Sequence, residues 1–248
     1  MNKGTIHSIL AACILFSYSC NPIYRASSVE YKDYKVDNIQ TDSTLQAFLQ
    51  PFSDSVNRSM NGVIATLAVD LEKKQPEGSL GNLMADAMKI IAEKKYVTKV
   101  DAAFINYGGI RLPSIKAGAI TRGKVFELMP FDNIVVLQKL SGKVVKDFLD
   151  HIASRGGWPV AGITMQIKNK KAENVMINGK FIDMNAVYTI ANSDYVANGG
   201  DMCDMLRPIP QINNGLLLRD ALIEYFTSFS KEGKQITATI ENRVTNAQ

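Results

Sequence analysis

An α/β domain built on mixed sheets with layered helices is the fold this chain predicts. Three observations carry that expectation. Segments with an apolar repeat of three to four residues alternate with short β-branched runs through the first half of the chain. From Pro159 onward strand patterns cluster instead. Asn178-Gly179, between two apolar runs, is a two-residue hairpin signal.

The elements follow in order. Thr41 to Met60 reads as a helix, with Leu45, Phe48, Phe52 and Val56 in helical register and Pro51 predicted to kink or divide it. Val63 to Val69 is a strand, and residues 71–79, with Glu72, Lys73, Lys74, Gln75, Pro76 and Glu77, form a charged loop. Gly81 to Lys95 is a helix with Leu83, Met84, Ala87, Met88 and Ile91 on one side. Ala102 to Asn106 is a short buried strand, residues 122–129 give a helical turn or two, and Ile134 to Leu140 is a strand. Ser141 caps a helix that turns Val144, Phe148, Leu149 and Ile152 inward. Val160 to Ile167 is one strand, Val175–Ile177 and Phe181–Ile182 make the hairpin, and Val187 to Ala191 is the next strand. Leu216 to Phe229 is a helix aligning Leu218, Leu222, Tyr225 and Phe229, and Ile236 to Ile240 closes the domain as a strand.

The N-terminus belongs to a different category. Lys3, the apolar run Ile9–Phe16 and the Ser17-Tyr18-Ser19 approach to Cys20 read as a secretory signal over residues 1–19, too short to span a membrane. Cys20 stands where a lipoprotein signal places its acylated cysteine; the other reading is a plain exported protein cut nearby. Residues 20–40 are polar and aperiodic, which fits a tether, and residues 41–248 form the domain. Contact with a membrane is then expected through the lipid anchor alone, at the cell envelope or in the periplasm. A net charge of +4, with scattered charges, gives no case for nucleic acid. With Cys20 acylated, Cys203 is left without a disulfide partner.

Chemistry concentrates in three glycine-containing segments: Asn106-Tyr107-Gly108-Gly109-Ile110-Arg111, Pro130-Phe131-Asp132-Asn133 and Tyr195-Val196-Ala197-Asn198-Gly199-Gly200-Asp201. They supply rings for a base, a carboxylate for ribose hydroxyls and a guanidinium that can fork onto a phosphate. Each also has a structural reading: Arg111 as a surface arginine after a turn, Phe131 and Tyr195 as core, Asp201 as a turn cap.

Their order decides between the two. Together with Gly81-Asn82-Leu83-Met84-Ala85-Asp86-Ala87, Gly118-Ala119-Ile120-Thr121 and Glu241-Asn242-Arg243-Val244, they make the chain over roughly residues 40–245 resemble the C-terminal, substrate-recognition domain of the 5'-nucleotidase family. The resemblance implies that Phe131 and Tyr195 clamp the base and Asn133 contacts its edge. It places Asp201 on the ribose, and Asn106 and Arg111 on the nucleoside and its nearest phosphate.

Two departures qualify it. Upstream of Gly81 the family has one or two arginines, and this chain offers Lys73, Lys74 and Pro76. After Asp201 the family has glycine and an aromatic, and this chain has Met202 and Cys203. A third feature concerns catalysis. The family cleaves phosphate with a separate two-metal metallophosphoesterase domain rich in histidine, whereas this sequence has two histidines, His7 and His151. His151 reads as a structural histidine on a helix face, and no serine or cysteine triad surrounds it. No catalytic residue and no cofactor is therefore expected in this chain, the divalent metals belonging to a separately encoded metallophosphoesterase. The expected function is the nucleotide-recognition half of a split 5'-nucleotidase. The alternative is a lipoprotein that captures nucleosides or nucleotides without a hydrolase partner.

Overall fold

The computed structural model describes residues 28–34 and 42–247. The predicted signal, Cys20 and most of the predicted tether lie outside the described residues. Two compact units divide the chain, Met1–Gln46 and Ala47–Gln248. In the first, residues 28–34 are exposed and without regular structure. Helix α1 (Ser43–Met60) starts where the Asp42 carboxylate accepts the N–H groups of Thr44 and Leu45 at 2.9 and 3.0 Å. The expected division at Pro51 does not occur. Because α1 has no buried residue, water can take the carbonyl that Pro51 has no N–H to serve.

The second unit continues with β1 (Val63–Leu67), β2 (Leu71–Glu72), α2 (Ser79–Tyr96), β3 (Ala102–Phe104), β4 (Ser114–Ile115), β5 (Gly118–Thr121) and α3 (Arg122–Leu128). Then come β6 (Val135–Ser141), α4 (Gly142–Ser154), β7 (Val160–Ala161), β8 (Ile163–Lys168), β9 (Lys171–Ile177), β10 (Lys180–Phe181) and β11 (Val187–Ser193). The chain ends with α5 (Asp194–Ala197), β12 (Gln211–Ile212), α6 (Leu218–Lys231) and β13 (Val244–Asn246). A five-stranded sheet, β12-β6-β11-β3-β7, forms the centre, and a four-stranded sheet, β10-β9-β8-β13, lies apart from it in the chain of pairings. Both are mixed, with β11 parallel to β3 and β13 parallel to β8. Two-stranded pairs β1-β5 and β2-β4 complete the set.

Successive strand residues point to opposite faces, and the central sheet uses both. Ala103, Leu137, Ala161 and Ala191 join the core packed by α2 and α6. Ala102, Phe104, Val160 and Ile190 join a second core with α4 and the four-stranded sheet. There Phe148 meets Phe104 and Trp158 edge-on, at ring separations of 4.9 and 5.9 Å. A sheet covered on both faces explains why its strands read as short apolar runs rather than alternating ones.

Most expected elements are present, with boundary corrections. Val160 to Ile167 is two strands, because Gly162, at φ +78°, turns the chain from the central sheet into the other. In α4 the Ser141 hydroxyl accepts the Val144 N–H as expected, but Val145 takes the buried position and Val144 is half-buried. In α6 the deep residue is Phe226, while Tyr225 and Phe229, both half-buried, meet edge to face at 5.2 Å. The strand expected at Ile236–Ile240 is absent. Only Ile236 bridges, to Leu67, because side chains take the place of a ladder beyond it. Asn82 Nδ2 donates to Thr239 O at 2.9 Å, and the buried Glu77 carboxylate accepts from Glu241 N and Arg243 N at 2.8 and 3.0 Å. Arg243 then forks onto Asp86 with two bonds of 2.7 Å.

Candidate functional site

Topology gathers the three glycine segments. β3 and β11 run parallel as neighbours, so the chain leaves both at the same edge of the sheet. β6 is antiparallel to β11, so the chain enters it there, with Val135 opposite Ser193. Segment 106–111 follows β3, segment 130–133 precedes β6, and segment 195–201 follows β11. The crevice beyond strand ends where connections diverge is a usual ligand position in α/β sheets.

A cavity of about 350 Å³ lies at that edge. Asn106, Arg111, Phe131, Asn133, Tyr195 and Asp201 all line it, joined by Gly108 and Gly109. Every sequence-predicted site residue other than Cys20 is thus brought to one place. Phe131 and Tyr195 are 39% and 45% exposed, so neither ring is committed to the core.

Asp201 is the most constrained residue in the site. Asn106 Nδ2 donates to its Oδ2 at 2.8 Å, and Tyr195 Oη donates to its Oδ1 at 3.0 Å. The Asp201 N–H in turn donates to Tyr195 Oη at 3.2 Å. Burial, then the adjacent carboxylate, push the Tyr195 phenol above its ordinary range, so at neutral pH it is a donor. Two glycines make the arrangement possible by their missing side chains. A Cβ on Gly109 would fall 2.6 Å from Asn106 Oδ1, and one on Gly200 would fall 2.6 Å from the Tyr195 ring.

A cationic corner lies at the other end. Arg111 is exposed, its Nη1 reaches only Gly108 O at 3.5 Å, and among the described residues no carboxylate pairs with it. Its guanidinium sits 5.8 Å from the Phe131 ring centroid. Lys73 enters the same corner, its Nζ donating to Ile110 O at 2.8 Å and lying 4.1 Å from the Tyr107 centroid. Burial, then the neighbouring Arg111 charge, hold the Lys73 ammonium below its ordinary range. Among the described residues neither cation has a carboxylate partner, which makes this corner electropositive. Sequence reasoning counted Lys73 only as an imperfect substitute for arginine.

The loops are held from behind by residues the sequence reading did not single out. Asp194 Oδ1 accepts from Ile134 N at 3.0 Å and Tyr195 N at 2.8 Å, tying the Phe131 and Tyr195 segments together. Arg219 of α6 donates to Phe131 O at 3.3 Å and Asp132 Oδ1 at 2.6 Å, over the Phe126 ring. Leu218 N donates to Asn133 O at 2.8 Å. A signal for Arg219 existed in its spacing with Leu222 and Phe226, which puts an arginine on a buried helix face. For Asp194 the signal was the Ser193-Asp194 pair opening a helix. Among the described residues no group of three His, Cys, Asp or Glu side chains converges as a metal site.

Similarity to known proteins extends across the segments that line the cavity. The family described as "5'-nucleotidase, C-terminal domain" matches residues 63–208. A 5'-nucleotidase of Vibrio parahaemolyticus is 33% identical over 205 residues, covering 78% of this chain and 35% of its own. One from Vibrio vulnificus is 31% identical over 227 residues, covering 85% of this chain and 40% of its own. The crystal structure of a 5'-nucleotidase precursor from Thermus thermophilus superposes with a TM-score of 0.70 at 27% identity, over 84% of this chain and 44% of that one. The chain therefore spans between about a third and somewhat under half of the length of these relatives.

Proposed function

The chain belongs to the 5'-nucleotidase C-terminal domain family, and from that premise we propose that it is the nucleotide-recognition half of a split 5'-nucleotidase. One observation carries the proposal: a single cavity joins a pair of accessible rings, a braced carboxylate and an unpaired arginine. Phe131 and Tyr195 hold the base between them and Asn133 reads its edge. Asp201 accepts from the ribose hydroxyls, Asn106 fixes that carboxylate, and Arg111 with Lys73 receives the phosphate.

Cleavage is assigned to a metallophosphoesterase supplied separately. Its two metals would activate water and clamp the leaving oxygen. The described residues offer no ligand cluster that fits such ions. This chain binds the nucleoside and orients its phosphate outward, which lets base and ribose contacts contribute to the reaction they do not touch. The signal-like N-terminus supports a setting at the cell envelope, with Cys20 as lipid attachment.

Calorimetry of the full chain against adenosine, AMP, ADP, UMP and a UDP-sugar tests the reading. Binding in which AMP exceeds adenosine, and in which Arg111→Ala erases that difference, supports it. Equal affinity for adenosine and AMP favours a nucleoside-capturing module, and no binding by any of the five overturns the nucleotide reading.

A further inference from the structure

His151 has no place in the binding set and does not line the cavity, yet it touches the site's most constrained residue from behind. Asp201 adopts left-handed backbone, φ +52° and ψ +31°, and Met202 follows at φ +62°. Two consecutive non-glycine residues in that region require outside support. His151 Nε2 lies 2.9 Å from the Asp201 carbonyl oxygen. A carbonyl can only accept, so in the tautomer that bonds it that nitrogen carries the hydrogen. Arg155 Nε lies 3.2 Å from the same nitrogen and would donate to it only in the other tautomer, so the two contacts are alternatives, and the exposed Arg155 has solvent as its other partner. The ring is fixed from its side by the buried Trp158, edge-on at 6.2 Å and 89°.

Every polar atom of Asp201 is accordingly held. Asn106 and Tyr195 take its carboxylate, Tyr195 its N–H, and His151 at 2.9 Å with the weaker Cys203 thiol at 3.9 Å its carbonyl. The first two contacts are made by groups in the cavity, which an incoming ribose competes with. The carbonyl contacts come from residues that do not line the cavity, and of these the His151 contact at 2.9 Å is the shorter, so ligand does not compete with it. We propose that His151 is a positioning residue: by donating Nε2–H to the Asp201 carbonyl it keeps residues 201–202 in left-handed backbone, and so keeps the carboxylate aimed at a 2',3'-diol. The inference rests on the reading of Asp201 as the ribose contact, and it makes His151 a determinant of ribose against 2'-deoxyribose selection.

The test measures Kd for adenosine and 2'-deoxyadenosine, and for uridine and 2'-deoxyuridine, with the full chain. Wild type should prefer the ribonucleoside, and Asp201→Asn should remove the preference. His151→Ala should reduce the ribo-to-deoxy ratio about five-fold, the equivalent of one hydrogen bond, with a smaller loss of affinity for the deoxynucleosides, which keep only the 3'-hydroxyl. His151→Gln, whose amide N–H reaches where Nε2–H does, should restore the ratio, and Arg155→Ala should leave it at the wild-type value. Should His151→Ala fail to fold, His151→Gln against the one-methylene-shorter His151→Asn carries the comparison, with the ratio kept in the first and lost in the second. A wild-type ratio in His151→Ala or in His151→Asn, while Asp201→Asn has lost it, overturns the positioning role and leaves the ribose reading intact. A wild-type protein with no ribonucleoside preference removes the ribose reading, and this inference with it.

Discussion

At the residue scale, what separates a binding ring from a core ring is what its removal costs. Phe131 and Tyr195 remain more than a third exposed, so truncating either should leave most of the core untouched. Phe131→Ala and Tyr195→Ala should each weaken nucleoside binding by about 1–3 kcal/mol, the worth of a base stacked on an aromatic. Thermal unfolding should show less loss than the roughly 3–5 kcal/mol of a buried phenylalanine. A variant that melts early yet binds normally when folded would return Phe131 to the core. Lys73 gives a second prediction, through pH. Its ammonium titrates below the ordinary lysine range because of burial and then Arg111, so its charge is present at low pH and is lost early as pH rises. A phosphate dianion in the corner favours the charged form, so AMP binding should take up protons on the alkaline side. Affinity for AMP should fall with rising pH more than affinity for adenosine, and Lys73→Ala should flatten the difference. Calorimetry in two buffers of unlike ionisation enthalpy reads the proton count directly. Cys203 gives a third. It is fully buried, and burial, then the Asp201 charge, raise its thiol to about 12. A group that stays protonated up to that pH supplies no thiolate at pH 8. Iodoacetamide should leave the Cys203 peptide unlabelled in native protein and label it in denaturant, as read by mass spectrometry.

At the element scale, the site is made of strand ends and the loops between them, and much of it was legible because each motif is contiguous. Asn106 to Arg111 and Tyr195 to Asp201 could be recognised because their residues are neighbours in sequence. The clamp that registers one loop on another could not. Asp194 and Arg219 act across 60 and 88 positions, and a lone aspartate or arginine carries no pattern at such a range. The same limit explains the missing strand after Ile236. Its composition suits a strand, but Glu77 and Asn82, far upstream, take the backbone groups a ladder would have used. Gly162 shows the converse: a single residue at positive φ divided an apolar run that periodicity alone reads as continuous. The clamp yields its own prediction. Asp194→Ala strips an acceptor from two backbone N–H groups, so it should cost about 1–3 kcal/mol of stability. Because those groups lie on the two ring-bearing loops, it should also weaken nucleoside binding beyond what the lost stability explains. Hydrogen exchange should quicken at Ile134 and Tyr195 and stay slow in α2. Uniform acceleration would mean Asp194 serves global stability and not the loops.

At the scale of the whole molecule, the fold buries the central sheet and leaves one of its edges open. The central sheet is buried on both faces, the C-terminal segment is pinned by Glu77, Asp86 and Arg243, and the cavity opens where three loops leave the sheet. On the proposed reading, this arrangement orients a nucleotide and leaves its cleavage to a partner. Cleaving a phosphate ester at neutral pH requires an activated water and stabilisation of the leaving oxygen, and among the described residues no cluster could hold the metals that supply both. The purified chain, with Mg²⁺, Mn²⁺, Zn²⁺ or Co²⁺ added, should therefore release no phosphate from AMP above background. Adding a metallophosphoesterase encoded beside it should raise turnover above that of the metallophosphoesterase alone, since the phosphate then arrives oriented by the base and ribose contacts. Arg111→Ala should diminish the gain by weakening the phosphate-side contact, and Phe131→Ala should diminish it by weakening nucleoside binding. Turnover by the chain alone that persists through further purification, and disappears with a single substitution in it, would make this protein a catalyst in its own right and end the assignment of a recognition half.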